Sequence, residues 1–205
     1  LEITSAERSK KNKNRLSVCI DGKFAFTISE DDYISLHLYE KTEITEETLD
    51  YIKNTLNFRE AKARAVRYLS MKIRTEKEVR DKLISEGFDH DCADKVVDEL
   101  KAIGYINNKL YAQKYIYDRS KLKPLSRKMM KMELMSKGIQ EDTIDEVLAD
   151  WKVEDSAVAE RLLKSKFGKY DLNDEKILRK AYMFLAHRGF SADTIKEVIR
   201  DMGTR

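Results

Sequence analysis

One proline, Pro124, and seven glycines are the only strong breakers of regular structure in 205 residues. A barrel or sandwich of many short strands needs a turn residue at every corner, so this supply argues against an all-β fold. Cysteine is equally scarce: Cys19 and Cys92 stand far apart, at no spacing used by a zinc ribbon or a redox pair. Free thiols of this kind exclude a disulfide scaffold and favour a reducing, cytoplasmic setting. His37, His90 and His187 are isolated, and no Ser/His/Asp or Cys/His arrangement accompanies them. No glycine-rich phosphate loop is present; the lone "FGKY" at 167–170 has neither its length nor its spacing. No apolar stretch approaches the roughly 18 residues of a membrane span, and no leader pattern of charged, apolar and small residues is legible. A net charge of +3 directs the chain toward no particular partner by itself.

What is abundant is charge and helix-forming residues: 38% of the chain is Asp, Glu, Lys or Arg and 41% is apolar. That composition predicts a soluble, mainly α protein. The exception is "RLSVCIDGKFAFTI" at 15–28, where Leu16, Val18 and Ile20 alternate and Phe24, Phe26 and Ile28 alternate back. Asp21-Gly22 between them predicts a type I′ hairpin, since glycine accepts positive φ without a steric penalty. A lone hairpin is marginal in water, so a short helical segment near "EDDYISLHL" and a helix from Thr45 must cover it. The preceding "ERSKKNKNR" is expected to be a mobile polar arm. Residues 1–57 therefore form a small N-terminal β-hairpin/helix cap.

From residue 58 the apolar period is 3.6, and the sequence repeats itself. "SEGFDHDCADKVVDE", "SKGIQEDTIDEVLAD" and "HRGFSADTIKEVIRD" place Gly87, Gly138 and Gly189 at intervals of 51 residues. Leu83, Leu134 and Leu185 precede the glycines, Phe88, Ile139 and Phe190 follow them, and Val96, Val147 and Val198 come later at one matched offset. Upstream, Ala65, Ala112 and Ala159 recur at intervals of 47. Three tandem three-helix repeats follow, expected at 58–106, 107–152 and 153–205 and stacked into an elongated curved array. Thr75 and Glu78 predict a capping box, each glycine a left-handed helix C′ position, and Asp91, Asp142 and Asp193 the N-caps of the third helices. Folding alone explains these residues, so none is assigned a functional role.

Charge is distributed by helix. Residues 59–82 hold nine bases and four acids, 109–135 eight and two, and 160–188 eight and four. The third helices invert this, with one base and five acids in 89–100 and none and five in 140–150. A charge run on one helix is ordinarily a solvated face, but recurrence in every repeat predicts a basic and an acidic stripe that meet partners. Helix, glycine turn and capped helix also describe a helix-turn-helix. Its reading helix would be acidic here and repelled by phosphates, so base-specific readout is excluded. The basic helices remain. The candidate contact residues are Arg67, Lys72, Arg74, Lys77, Lys121, Lys123, Arg127, Lys128, Lys131, Arg179, Lys180 and Arg188. Tyr117 lies among them, whereas Tyr111 and Tyr115, at i,i+4 spacing, belong to a core. "DHDC" at 89–92 offers ligand-type side chains, but consecutive residues in a turn do not converge on one ion; no metal and no cofactor are expected. In "MMKMELM" at 129–135, Met130 and Leu134 fall on the core stripe, and Met129, Met132 and Met135 are expected to pack on a neighbouring repeat, as is Trp151.

These motifs together resemble the RecX regulatory proteins. The resemblance rests on "RTEKEVRDKL" from Arg74 to Leu83, "GYINNKLYA" from Gly104 to Ala112 and "ELMSKGI" from Glu133 to Ile139, and it spans about residues 60–203. The N-terminal hairpin is similar to an extension of some Gram-positive members. Lys123-Pro124 departs from the Gly-Pro that the family often places there, adding charge near the expected contact surface. The resemblance implies a non-enzymatic, monomeric cytoplasmic modulator of the RecA recombinase. Such a protein binds along the groove of the RecA–single-stranded DNA filament and damps its ATPase, strand-exchange and co-protease activities. It would touch single-stranded DNA, with double-stranded DNA a further candidate, through backbone contacts. Two other readings stay open: a sequence-independent nucleic-acid-binding protein that acts by competing for DNA, and a helical scaffold with unrelated partners.

Overall fold

The computed structural model describes residues 1–203, which divide into two compact units, one of residues 1–107 and one beginning at Asn108. The first unit opens with an antiparallel sheet of β1 (Ile3–Arg8), β2 (Arg15–Ile20) and β3 (Lys23–Ser29), in that order. Asp21 and Gly22 adopt φ of 50° and 76°, the two successive left-handed residues of a type I′ turn. The expected mobile arm is a correction. Glu7 and Arg8 belong to β1 and pair with Ser17 and Leu16, and the Ser9 amide donates to the Arg15 carbonyl at 2.8 Å. Backbone pairing needs no apolar side chains, so a polar strand completes the sheet where composition alone suggests a tail.

Val18, Ile20, Phe26 and Ile28 turn one face of the sheet onto Leu38, Ile44, Ile52 and Leu56. The covering elements are α1 (Glu30–Ser35), capped by Ser29, and α2 (Glu46–Tyr51), capped by Thr45. A π-helical turn, Ile52–Asn57, joins α2 directly to α3 (Phe58–Met71). The boundary expected after residue 57 thus falls inside a continuous helical rod, which serves the sheet core at one end and the first repeat at the other.

α3, α4 (Glu76–Ser85) and α5 (His90–Ala102) enclose the first repeat's core around Ala65, Leu83, Phe88, Val96 and Leu100. Thr75 and Glu78 form the predicted capping box. The second unit contains α6 (Asn108–Leu122), α7 (Arg127–Ser136) and α8 (Glu141–Asp150), then α9 (Asp155–Phe167), α10 (Glu175–Ala186) and α11 (Ala192–Gly203). Their cores reuse the same register: Ala112, Leu134, Ile139 and Val147 in one triplet, Ala159, Leu185, Phe190 and Val198 in the other. Gly87, Gly138 and Gly189 all have positive φ at the helix ends, as predicted.

The predicted third-helix caps lie two residues too late. Asp89 caps α5, its Oδ1 accepting from the Cys92 amide at 2.7 Å; Gln140 holds the cap position of α8, and the Ser191 hydroxyl accepts from the Thr194 amide ahead of α11. Asp91, Asp142 and Asp193 instead lie in the first turns, where a carboxylate still favours the positive end of the helix dipole. No helix among the described residues is long and apolar enough to cross a membrane.

Candidate protein and nucleic-acid contact surface

The basic side chains of the first two helices in each repeat separate by what already holds them. Arg127 is occupied at both ends: its amide donates to Asp155 Oδ1 at 3.0 Å, and its guanidinium donates to the carbonyls of Trp151, at 2.9 Å, and Leu148. These are carbonyls at the end of α8, so Arg127 closes a helix. Lys131 bridges Glu141 at 2.7 Å and Asp145 at 2.6 Å, hydrogen bonds that raise its pKa. Arg188 lies 3.8 Å over the Phe184 ring and donates to the Phe184 carbonyl. Arg74 stacks 4.0 Å over Tyr68, and Lys77 pairs with Asp81 one turn along. Lys121 sits 3.9 Å over the ring of Tyr117, which is 52% exposed.

Arg67, Lys72, Lys123, Lys128, Arg179 and Lys180 remain exposed, and none makes an ion pair with another described residue. Among the described residues no ion pair holds them, so a phosphate or carboxylate would chiefly displace their hydration. The structure therefore sorts the twelve candidates into cations that maintain the fold and cations available at the surface.

The acidic third helices have a structural explanation. Lys62 reaches Glu99 at 2.8 Å, Arg80 pairs with Asp94, and Lys101 reaches Glu76 at 3.2 Å, all within the first repeat. In the second, Lys131 holds Glu141 and Asp145, and Lys109 pairs with Glu146. Part of the acidic stripe in the first two repeats thus neutralises bases on the first two helices, while Lys101 to Glu76 runs the other way. Glu133, held by Arg119 at 3.0 Å, has its pKa raised by burial.

Two expectations about packing change. Met129 packs where expected, against the α10–α11 turn of the third repeat, but Met132 and Met135 are exposed. Trp151 packs on its own repeat's core beside Tyr111, Tyr115 and Leu125. "DHDC" is divided between a helix cap and a core: Asp89 holds the start of α5 while Cys92 is buried. Burial, then Asp89, pushes the Cys92 thiol up to about 11.

Sequence reasoning passed over one buried charge cluster. Arg15 points from the far face of β2 and is fully buried, with its guanidinium 4.1 Å over Phe88 and paired with Glu60. It donates to Asn57 Oδ1 at 2.6 Å and to the Thr27 carbonyl at 3.1 Å, and the Thr27 hydroxyl donates to the Gly87 carbonyl at 2.6 Å. Burial pulls the Arg15 pKa down against the opposing pull of Glu60. Every partner comes from a different element, so this network joins the sheet, the π turn and the first repeat. Its only trace in the sequence is an arginine in register with Ser17 on the strand face opposite Val18 and Ile20.

Similarity covers the whole arrangement. Residues 1–45 match the regulatory protein RecX N-terminal domain, and residues 61–100, 107–148 and 154–199 match the first, second and third RecX three-helix domains. The chain is 31% identical to the regulatory protein RecX of Clostridium botulinum (strain Eklund 17B) over 204 residues, covering 98% of this chain and 95% of that one. It is 32% identical to that of Clostridium beijerinckii over 203 residues, covering 97% and 94%. A crystal structure of a regulatory protein RecX superposes with a TM-score of 0.66 at 26% identity, covering 98% of this chain and all of the other. RecX from Lactobacillus salivarius gives 0.62 at 26% identity, over 73% of this chain and 98% of its own.

Proposed function

Because the chain belongs to the RecX family of regulatory proteins, we propose that it regulates the RecA recombinase by binding the RecA–single-stranded DNA filament, without catalysing a reaction. It lowers the filament's ATPase, strand-exchange and co-protease output from a cytoplasmic location, as a monomer. The observation that carries this is that six of the twelve candidate cations, Arg67, Lys72, Lys123, Lys128, Arg179 and Lys180, are exposed in all three repeats with no ion pair among the described residues. Nothing in the fold employs them, and a filament offers both phosphates and acidic protein surface. Base readout has no part in it, because the third helices of the first two repeats are strongly acidic and phosphates repel them.

A second reading has one observation in its favour. Tyr117 is half in solvent with Lys121 beside its ring, a pairing that can stack a base and hold its phosphate. That would make the protein a sequence-independent single-strand binder that acts on RecA only by competing for DNA. The combined variant K72Q/K123Q/K128Q separates the two, since all three lysines are exposed and the fold is undisturbed. DNA affinity falls in either case, with a shallower salt dependence. In the filament-regulator reading wild type binds RecA in the absence of DNA, and the variant, short of three cations that can meet either partner, binds it more weakly but measurably. Loss of inhibition together with DNA binding, and no association of wild type with DNA-free RecA, would establish competition instead.

A further inference from the structure

The turn between the first and second helices presents the same surface in successive repeats. The residues capping the second helices are Thr75, Ser126 and Asp174. Four residues before each stands a large apolar side chain in water: Met71 is 77% exposed, Leu122 79% and Tyr170 58%. Three before each come Lys72, Lys123 and Asp171, and two after each come Lys77, Lys128 and Lys176, all exposed. A scattered exposed leucine or methionine means little. Met71 and Leu122, each more than three-quarters in water at one repeat position, gain little burial where they stand, whereas Tyr170 also packs on Phe167. Lys128 and Lys176 are likewise unfavourable for folding, since a cation opposes the positive end of the helix dipole, whereas Lys77 is partly offset by its pair with Asp81.

We propose that these turns are docking points for protein, each inserting an apolar knob (Met71 or Leu122) into a shallow apolar pocket edged by carboxylates that meet Lys72, or Lys123 and Lys128. The chemistry selects the partner class. A phosphate backbone would take the lysines but offers nothing to an aliphatic knob, whereas an acidic protein surface with a shallow apolar pocket satisfies both. In the third repeat Asp171 replaces the first lysine and Tyr170 the aliphatic knob, so that turn is a poorer match to the same pocket. Under the function proposed above, on which this inference rests, the partner is RecA itself, and its repeated protomers supply repeated pockets.

The test is a set of surface variants, M71S, L122S, M71S/L122S and L122D, each compared with wild type for affinity to RecA filaments and to bare single-stranded DNA. Both side chains lie mostly in water, so melting temperatures stay at the wild-type value. The double variant is expected to bind RecA at least roughly tenfold more weakly, with DNA affinity changed less than about twofold. L122D is expected to lose more than L122S, through repulsion by the pocket's carboxylates. Wild-type RecA affinity in the double variant overturns the docking points while leaving the regulatory function standing. A parallel loss of DNA affinity overturns them by assigning the knobs to nucleic acid. A wild-type protein that does not bind RecA overturns the function and this inference with it.

Discussion

Gly189 combines two requirements that no other residue type meets. Its φ of +83° is left-handed, and a Cβ placed there would stand 2.7 Å from Ser126 Oγ and 2.8 Å from Met129 Cβ. Those atoms belong to the start of α7, whose Ser126 amide also donates to the Arg188 carbonyl at 3.0 Å. The turn of the third repeat therefore lies directly on the second. G189A is expected to lose about 1–3 kcal/mol of unfolding free energy, from left-handed strain and the displaced contact. An unchanged urea midpoint would mean the two repeats are not packed as described. Cys92 gives a pH dependence of known sign. Its folded-state pKa is raised, so the neutral thiol is the form the fold favours. The associated stability is complete below the ordinary thiol pKa and is lost as pH rises toward about 11. Between about pH 8 and about pH 10.5, wild type should lose more urea resistance than C92A, because the variant lacks this titration. Equal losses would place the thiol in contact with water.

At the level of elements, neighbouring cations at the start of α7 have opposite roles. Arg127 satisfies carbonyls at the end of α8, so R127A is expected to cost about 1–3 kcal/mol, seen as a lower melting temperature. Lys128 is exposed and its side chain makes no ion pair or hydrogen bond among the described residues, so K128A is expected to leave the melting temperature unchanged and to weaken partner binding. Reversed effects would exchange their assignments. This distinction was not legible in the sequence, where both are bases in one helix. What was legible rests on periodicity and local chemistry. Leu83, Leu134 and Leu185 are fully buried in three cores, and the Thr75–Glu78 box and the Asp21-Gly22 turn are in place. What escaped depends on distance along the chain. β1 is held by backbone bonds that leave no side-chain pattern, and Arg15 finds Asn57 and Glu60 more than forty residues away. The helix caps slipped by two residues because Asp89 and Asp91 are equally good cap types, and only the geometry of the turn chooses between them.

For the whole molecule, four apolar cores stand behind a surface whose charges divide into an internal set and an available set. Some acids of the third helices in the first two repeats are paired internally, which makes the basic helices and the turns between them the surfaces to test. The proposed activity is regulatory binding, so no side chain needs a catalytic environment. Cys92 sits in the first repeat's core, and Arg15, Lys131 and Glu133 sit in internal ion pairs. The measurement that tests the central claim most directly is the single-stranded-DNA-dependent ATPase of RecA, titrated with the purified protein at near-physiological salt. The account predicts a saturable fall in ATPase with wild type and a titration shifted to at least roughly tenfold higher concentration with K72Q/K123Q/K128Q. An ATPase rate that stays level at saturating wild-type protein would contradict it.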